Sequence, residues 1–215
     1  MLDRRSLGVY VVTSTGLSSG RDHRDVALAA IEGGANAIQL RAPELHDDEL
    51  LPLATEIAAL CRDAGVLFVV NDRLDVALAS GAEGVHLGQR DDLDRARARL
   101  GEDGVMGISV DDVEEAWAAE AVGADYLGVT VWTTSTKPEA VAHGLEGLRA
   151  IVGATALPVV GIGGIDAVNA GQVIAAGAAG VAVVSAVAAA DDPVGATRQL
   201  VEVVRSAVSA PEGSR

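Results

Sequence analysis

Short runs of β-branched and aliphatic residues alternate along the chain with longer stretches rich in Ala, Leu, Glu and Arg. Eight of these runs read as strands, at 8–13, 37–41, 67–71, 84–87, 105–109, 126–129, 158–162 and 180–185. The stretches between them carry apolar residues at helical spacing; in 49–61, Leu50, Leu53, Ile57 and Leu60 mark one face. Regular strand–helix alternation implies a parallel sheet, and eight such units close naturally on themselves. The expected architecture is therefore α/β, a single (β/α)8 TIM barrel over residues 1–215, with a doubly wound open sheet as the structural rival. The third helix is expected to be short, and roughly 207–215 reads as a frayed tail.

In a closed barrel, reactive groups gather at the C-terminal ends of the strands. The unusual polar residues of this chain fall there repeatedly. Strand two ends Gln39-Leu40-Arg41, strand three Asn71-Asp72-Arg73, and strand four runs His86-Leu87-Gly88-Gln89 towards Asp91. Strand five ends at Ser109, strand six opens into Thr133-Thr134-Ser135-Thr136-Lys137, and strand seven enters Gly161-Ile162-Gly163-Gly164. Gly163 and Gly164 leave backbone N–H groups open to an anion, and the segment after Ser185 starts a helix whose N-terminus favours the same charge. Asp72 and Asp91 follow neighbouring strands and can share a hard cation. Mg²⁺ takes one or two carboxylates and completes its shell with water and substrate phosphate. A helix cap for Asp72 and solvated surface for Asp91 are the structural alternatives. Arg41 and Lys137 can neutralise phosphate charge. His86, near a strand end, is expected to be packed and hydrogen-bonded; His23, His46 and His143 read as surface.

Composition narrows the function classes. Hydrophobic residues make up 49% of the chain but include only two Trp, two Tyr and one Phe, so the core must be aliphatic. A net charge of −15 argues against nucleic acid as partner. Lys137 is the sole lysine among 16 basic residues, and it sits in a Thr/Ser-rich loop. Acid excess with scarce lysine suits either a salt-rich cytoplasm or a GC-rich genome. The lone Cys61 excludes a disulfide framework and lies in an apolar helical pattern, so it reads as a buried structural thiol. MLDRRS lacks the apolar stretch of a signal peptide, and no run is long enough to span a membrane, so a cytoplasmic location is expected.

In order and spacing these pieces resemble the thiamine phosphate synthase family over nearly the whole chain. They are VYVVT at 9–13, IQLR at 38–41, VNDR at 70–73, GVHLGQ with Asp91, and GIS at 107–109. GADYLGV at 123–129, TSTK at 134–137, VVGIGGI at 159–165 and GVAVVSAV at 180–187 continue the series. The resemblance implies that Gln39, Arg41, Asn71, Ser109 and Lys137 hold a pyrimidine pyrophosphate and that Asp72 and Asp91 carry Mg²⁺. It assigns Thr134, Ser135, Thr136, Gly164, Val184 and Ser185 to a thiazole phosphate. The implied reaction is dissociative: pyrophosphate leaves, a pyrimidinylmethyl cation forms, and the thiazole nitrogen captures it. A homo-oligomer is compatible with this reading. Three positions depart from the family pattern. Pro43 stands where a lysine is usual, with Arg73 or Arg90 expected to substitute; Thr130 replaces a Gly-Pro; and Ser14 follows Thr13 where an aspartate is common. A thiazole tautomerase, a sugar-phosphate isomerase or epimerase, and a catalytically silent barrel binding a thiamine precursor are the alternatives.

Overall fold

A computed structural model describes residues 2–133 and 141–209. Strands β1 (Val9–Val12), β2 (Ala37–Leu40), β3 (Leu67–Asn71), β4 (Gly84–Leu87), β5 (Val105–Ser109), β6 (Tyr126–Thr130), β7 (Val159–Ile162) and β8 (Gly180–Val183) pair in parallel in chain order. β8 then pairs with β1 and closes the barrel. Helices α1 (His23–Gly33), α2 (Asp47–Ala64), α3 (Leu74–Ser80), α4 (Leu93–Leu100), α5 (Val113–Ala121), α6 (Gly144–Ala154) and α7 (Ala170–Ala175) separate the strands. α8 (Ser185–Ala188) and α9 (Pro193–Ser209) follow β8, and α9 packs against both α1 and α7. The closed barrel replaces the open-sheet rival, and α3 is short as expected. The tail expectation falls mostly outside the described residues, although α9 persists to Ser209. Among the described residues no helix is long and apolar enough to cross a membrane.

The period of two along each strand sorts side chains to the two faces of the barrel wall. Val9 and Val11 face the helices, in one layer with Ile38, Leu40, Phe68 and Val70. Tyr10 and Val12 face inward, with Ala37, Leu67, Val69, Tyr126, Val160 and Ala182. Small and β-branched residues make up most of both layers, with Phe68 outside and Tyr10 and Tyr126 inside as the large exceptions. The buried stripe of α2 is Leu50, Ala54, Ile57, Ala58 and Cys61, rotated from the expected one; Leu53 and Leu60 lie at its flank. The shift arises because small alanines, and not only leucines, belong to the buried stripe. Aspartates cap α1, α4 and α5: Asp22, Asp92 and Asp112 accept from the backbone N–H groups of Asp25, Arg95 and Glu115.

One device recurs before every even strand. Gly34, Gly81, Gly123 and Gly177, all with φ between +80° and +100°, turn the chain out of the preceding helix. Two residues later, Asn36, Glu83, Asp125 and Ala179 donate their backbone N–H to the carbonyls of Val9, Phe68, Met106 and Val159 at the start of the preceding odd strand. In three cases the side chain answers: Asn36 Oδ1, Glu83 Oε2 and Asp125 Oδ2 accept the N–H of Val9, Phe68 and Met106 at 2.9, 2.9 and 2.8 Å. Each odd strand is thereby clamped at its first residues.

Candidate active site

The mouth at the C-terminal ends of the strands encloses a cavity of about 380 Å³. Gln39, Arg41, Asn71, Ser109, Gly164, Val184 and Ser185, all expected from the sequence, line it together. Asp72 and Asp91 do not line it. Thr134, Ser135, Thr136 and Lys137 lie outside the described residues.

A hydrogen-bonded chain crosses the cavity floor. Gln39 Nε2 donates to the Tyr10 hydroxyl at 2.9 Å, and the Tyr10 and Tyr126 hydroxyls meet at 2.8 Å. His86 Nδ1 lies 3.0 Å from the Tyr126 hydroxyl, and its Nε2 lies 2.9 Å from Ser109 Oγ. One set of proton positions satisfies every donor. Tyr10 donates to Tyr126, Tyr126 to His86 Nδ1, and His86 Nε2–H to Ser109, which leaves the Ser109 proton for a ligand. Burial pushes both phenols well above their ordinary pKa, so both act as neutral donors. The ring of Tyr126 fits because Gly107 has no side chain; a Cβ there would stand 2.1 Å from Tyr126 Cζ. His86 is thus the packed, hydrogen-bonded residue expected, whereas the two tyrosines carry no sequence signal beyond being rare aromatics at inward strand positions.

Two anion-receiving features open onto this cavity. The first is Arg41, just past β2, whose guanidinium has no hydrogen-bond or ion-pair partner among the described residues. The second is the turn after β7, where Gly163 and Gly164 hold φ of +94° and +62° in succession. With no side chains at either position, the backbone of this turn is open to an approaching anion. A Cβ on Gly163 would stand 2.5 Å from the Trp132 carbonyl oxygen, and one on Gly164 would stand 3.2 Å from Trp132 Cβ. Beside this turn, the helix beginning at Ser185 is a single turn, so it contributes local N–H groups rather than a long dipole. Ser185 itself begins that helix instead of ending β8.

The two candidate metal carboxylates occupy adjacent exposed tips. Asp72 sits at φ +60° in a γ-turn, with Arg73 N–H reaching back to the Asn71 carbonyl at 2.7 Å. Its Oδ2 accepts from Asn71 Nδ2 at 2.6 Å, and Arg73, not Asp72, stands at the cap of α3. Such a conformation is costly for a non-glycine residue and is typical of functional tips. Asp91 Oδ2 accepts the Gly88 N–H at 2.7 Å. Both offer hard oxygen donors and fit a magnesium ion completed by water and phosphate. Among the described residues no group of three or more His, Cys, Asp or Glu comes together as a cage.

Arg73 does not reach into the space left by Pro43. It pairs with Asp47 at the start of α2 and donates to the Leu45 carbonyl at 3.4 Å. His23 also departs from expectation: it is 2% exposed and bonds Thr13 Oγ1 at 2.7 Å and Glu44 Oε1 at 3.0 Å. An imidazole at a helix start is usually solvated, but here β1 and the β2–α2 loop fold over it. His143, expected at the surface, is largely covered and meets Asp111 at 3.2 Å; His46 is exposed. Thr130 ends β6 on the cavity wall, and its carbonyl takes the N–H of His143 as the chain returns to the barrel.

A closed parallel barrel with a glycine turn after β7 and, at the same mouth, an arginine unpaired among the described residues has the layout of a (β/α)8 enzyme whose ligand site lies at the C-terminal face. A family model described as thiamine monophosphate synthase matches residues 9–187, and the chain belongs to that family. By this membership it is a transferase of thiamine biosynthesis. A thiamine-phosphate synthase from Moorella thermoacetica is 50% identical over 93% of this chain and 96% of its own length. One from Natronomonas pharaonis is 48% identical, again over 93% and 96%. The solved thiamine phosphate pyrophosphorylase of Pyrococcus furiosus superposes with a TM-score of 0.89 at 40% identity, over 96% of this chain and 99% of that one. A 3-hexulose-6-phosphate synthase, at 19% identity and a TM-score of 0.71, shares the fold alone.

Proposed function

We propose that this chain condenses a hydroxymethylpyrimidine pyrophosphate with a hydroxyethylthiazole phosphate to give thiamine phosphate and pyrophosphate. The observation that carries the reading is the pairing, in one cavity, of two separate anion-receiving devices: Arg41 and the Gly163-Gly164 turn. Two phosphorylated substrates need two such places, one for a leaving pyrophosphate and one for a phosphate that stays.

Arg41, with Asn71, Ser109 and Lys137, receives the pyrimidine pyrophosphate, and Gln39 at 6% exposure meets the pyrimidine at the cavity floor. Thr134, Ser135, Thr136, Gly164, Val184 and Ser185 receive the thiazole phosphate. The bond from the pyrimidine methylene carbon to the pyrophosphate oxygen breaks, and its electron pair leaves with the oxygen. The thiazole nitrogen then forms the new C–N bond to that carbon. Arg41 and the Ser109 proton stabilise charge gathering on the departing oxygens, the differential interaction that lowers the barrier. Asp72 and Asp91 would hold Mg²⁺, which when bound neutralises pyrophosphate charge. The aliphatic cavity walls, Val12, Val160 and Ile162 among them, limit water around the cation.

A two-substrate assay with Mg²⁺ tests the reading, following pyrophosphate release and thiamine phosphate formation together. Stoichiometric appearance of both supports it; release without condensation, or neither product from folded protein, overturns it.

A further inference from the structure

Outside the cavity-floor chain, a second polar array converges on the cavity from the side. Thr13 continues the β1–β2 pairing past the end of β1: its N–H donates to the Gln39 carbonyl at 2.9 Å, and its Oγ1 accepts the Arg41 N–H at 3.3 Å. Thr13 is fully buried, so this hydroxyl has no water to turn to. Behind it, His23 Nδ1 lies 2.7 Å away, and His23 Nε2 lies 3.0 Å from Glu44 Oε1. Thr15 donates to the same Glu44 oxygen at 2.8 Å.

With a neutral imidazole one assignment satisfies the array: His23 Nε2–H donates to the Glu44 carboxylate, Nδ1 accepts the Thr13 proton, and a lone pair of Thr13 accepts the Arg41 N–H. A carboxylate that orients an imidazole, which orients a hydroxyl, is the arrangement by which side chains hold a tautomer. Here the final hydroxyl lies between the Arg41 N–H on one side and His23 Nδ1 on the other. What it grips is the peptide that carries Arg41. Glu44, three residues further along, is held by the same histidine, so the array pins the β2–α2 loop at its first residue and again at its middle.

We propose that Glu44, His23 and Thr13 are positioning residues for Arg41, holding its guanidinium where it receives the pyrophosphate of the substrate. The inference rests on the reading that Arg41 binds that pyrophosphate. Freed from His23, the Thr13 hydroxyl can rotate away from Arg41 N–H, and the arginine loses a fixed base.

The test measures KM for each substrate in Thr13→Val and Glu44→Ala, with thermal melting to confirm folding, and repeats both in an Arg41→Ala background. The Glu44 side chain is 45% exposed, so its variant keeps the experiment open if Thr13→Val does not fold. We expect KM for the pyrimidine pyrophosphate to rise by about tenfold, the scale of losing one charge-assisted hydrogen bond, and KM for the thiazole phosphate to stay near that of the parent. In the Arg41→Ala background the same changes should add nothing. Thr13→Ser and Glu44→Gln, which retain the hydroxyl and the accepting oxygen, should recover most of the lost affinity. A parallel rise in both KM values, or full additivity with Arg41→Ala, overturns the array as a positioning device. If Arg41→Ala raises the pyrophosphate KM while the array variants do not, the array alone fails. If Arg41→Ala itself leaves that KM unchanged, the functional reading beneath it fails.

Discussion

The hydroxyl oxygens of Tyr10 and Tyr126 lie 2.8 Å apart inside the barrel, linking β1 to β6, two strands that do not pair. Their rings approach to 5.9 Å between centroids, tilted by 57°. This contact is an inner link of the polar chain from Gln39 to Ser109, and removing it leaves partners stranded on both sides. Tyr126→Phe should destabilise the protein by about 1–3 kcal/mol, the scale of orphaning a buried polar group. Urea unfolding measures it, and a change below about 0.5 kcal/mol, the low end for one hydrogen bond, would show that the chain re-pairs without Tyr126.

Gly164→Val places a branched side chain at φ +62°, where its Cβ would already stand 3.2 Å from Trp132 Cβ and the Thr133 carbonyl oxygen. The expected outcome is weaker thiazole phosphate binding with the pyrimidine pyrophosphate less affected. Calorimetric titration of each substrate separates the two, and unchanged thiazole affinity in folded protein would count against the turn as the phosphate site.

Asp72→Ala and Asp91→Ala should each remove most Mg²⁺-dependent turnover while the melting temperature changes little, since both carboxylates are exposed. Asp72→Ala relieves no strain, because alanine is no better suited than aspartate to φ +60°. Near-parent turnover in either variant, with metal dependence intact, would remove that carboxylate from the magnesium site.

Pro43 is exposed, and Arg73 is engaged with Asp47, so it does not supply a replacement cation. Pro43→Lys should therefore tighten pyrimidine pyrophosphate binding by about tenfold, with Arg73→Ala affecting stability more than affinity. Substrate titrations of both variants, with Arg90→Ala beside them, check this; a large affinity loss in Arg73→Ala alone would reverse the assignment.

Cys61 is fully buried, and burial, with Glu83 adding to it, pushes its thiol up to about 12 from 9.0. The folded state therefore holds its proton more tightly than the unfolded chain. The matching contribution to stability is complete below pH 9 and is lost progressively between about pH 9 and 12. Thiol reagents at neutral pH should label native protein only as fast as it opens, and rapid stoichiometric labelling would contradict the packing.

The strand pattern and the site's first ring are readable in the sequence because periodicity and strand-end polarity are local. All eight strands lie within one or two residues of their expected bounds, and seven of the expected site residues line one cavity. What is not readable depends on tertiary contact. His23 looks like a surface residue until the β2–α2 loop covers it. Tyr10 and Tyr126 look like core until β1 and β6 face each other across the interior. The stripe of α2 cannot be placed from its leucines because Ala54 and Ala58 are buried while Leu53 and Leu60 are only partly so. Arg73 suits the gap at Pro43 by charge alone, and only its ion pair with Asp47 shows that it is committed elsewhere.

The clamps at the start of the odd strands make the barrel divisible. Each binds an odd strand to the turn that launches the next even one, so every strand pair with its intervening helix carries its own fastening within one contiguous segment. A circularly permuted chain would keep all of them intact if cut within α2, α4 or α6, and would divide one if cut within α1, α3, α5 or α7. The fourth pair is the exception: Ala179 makes the backbone bond to Val159 but has no side chain to answer Val159 N–H. There the quarter-turn regularity of the barrel is left open, and an asparagine, aspartate or glutamate at that position, as in the other three pairs, would complete it.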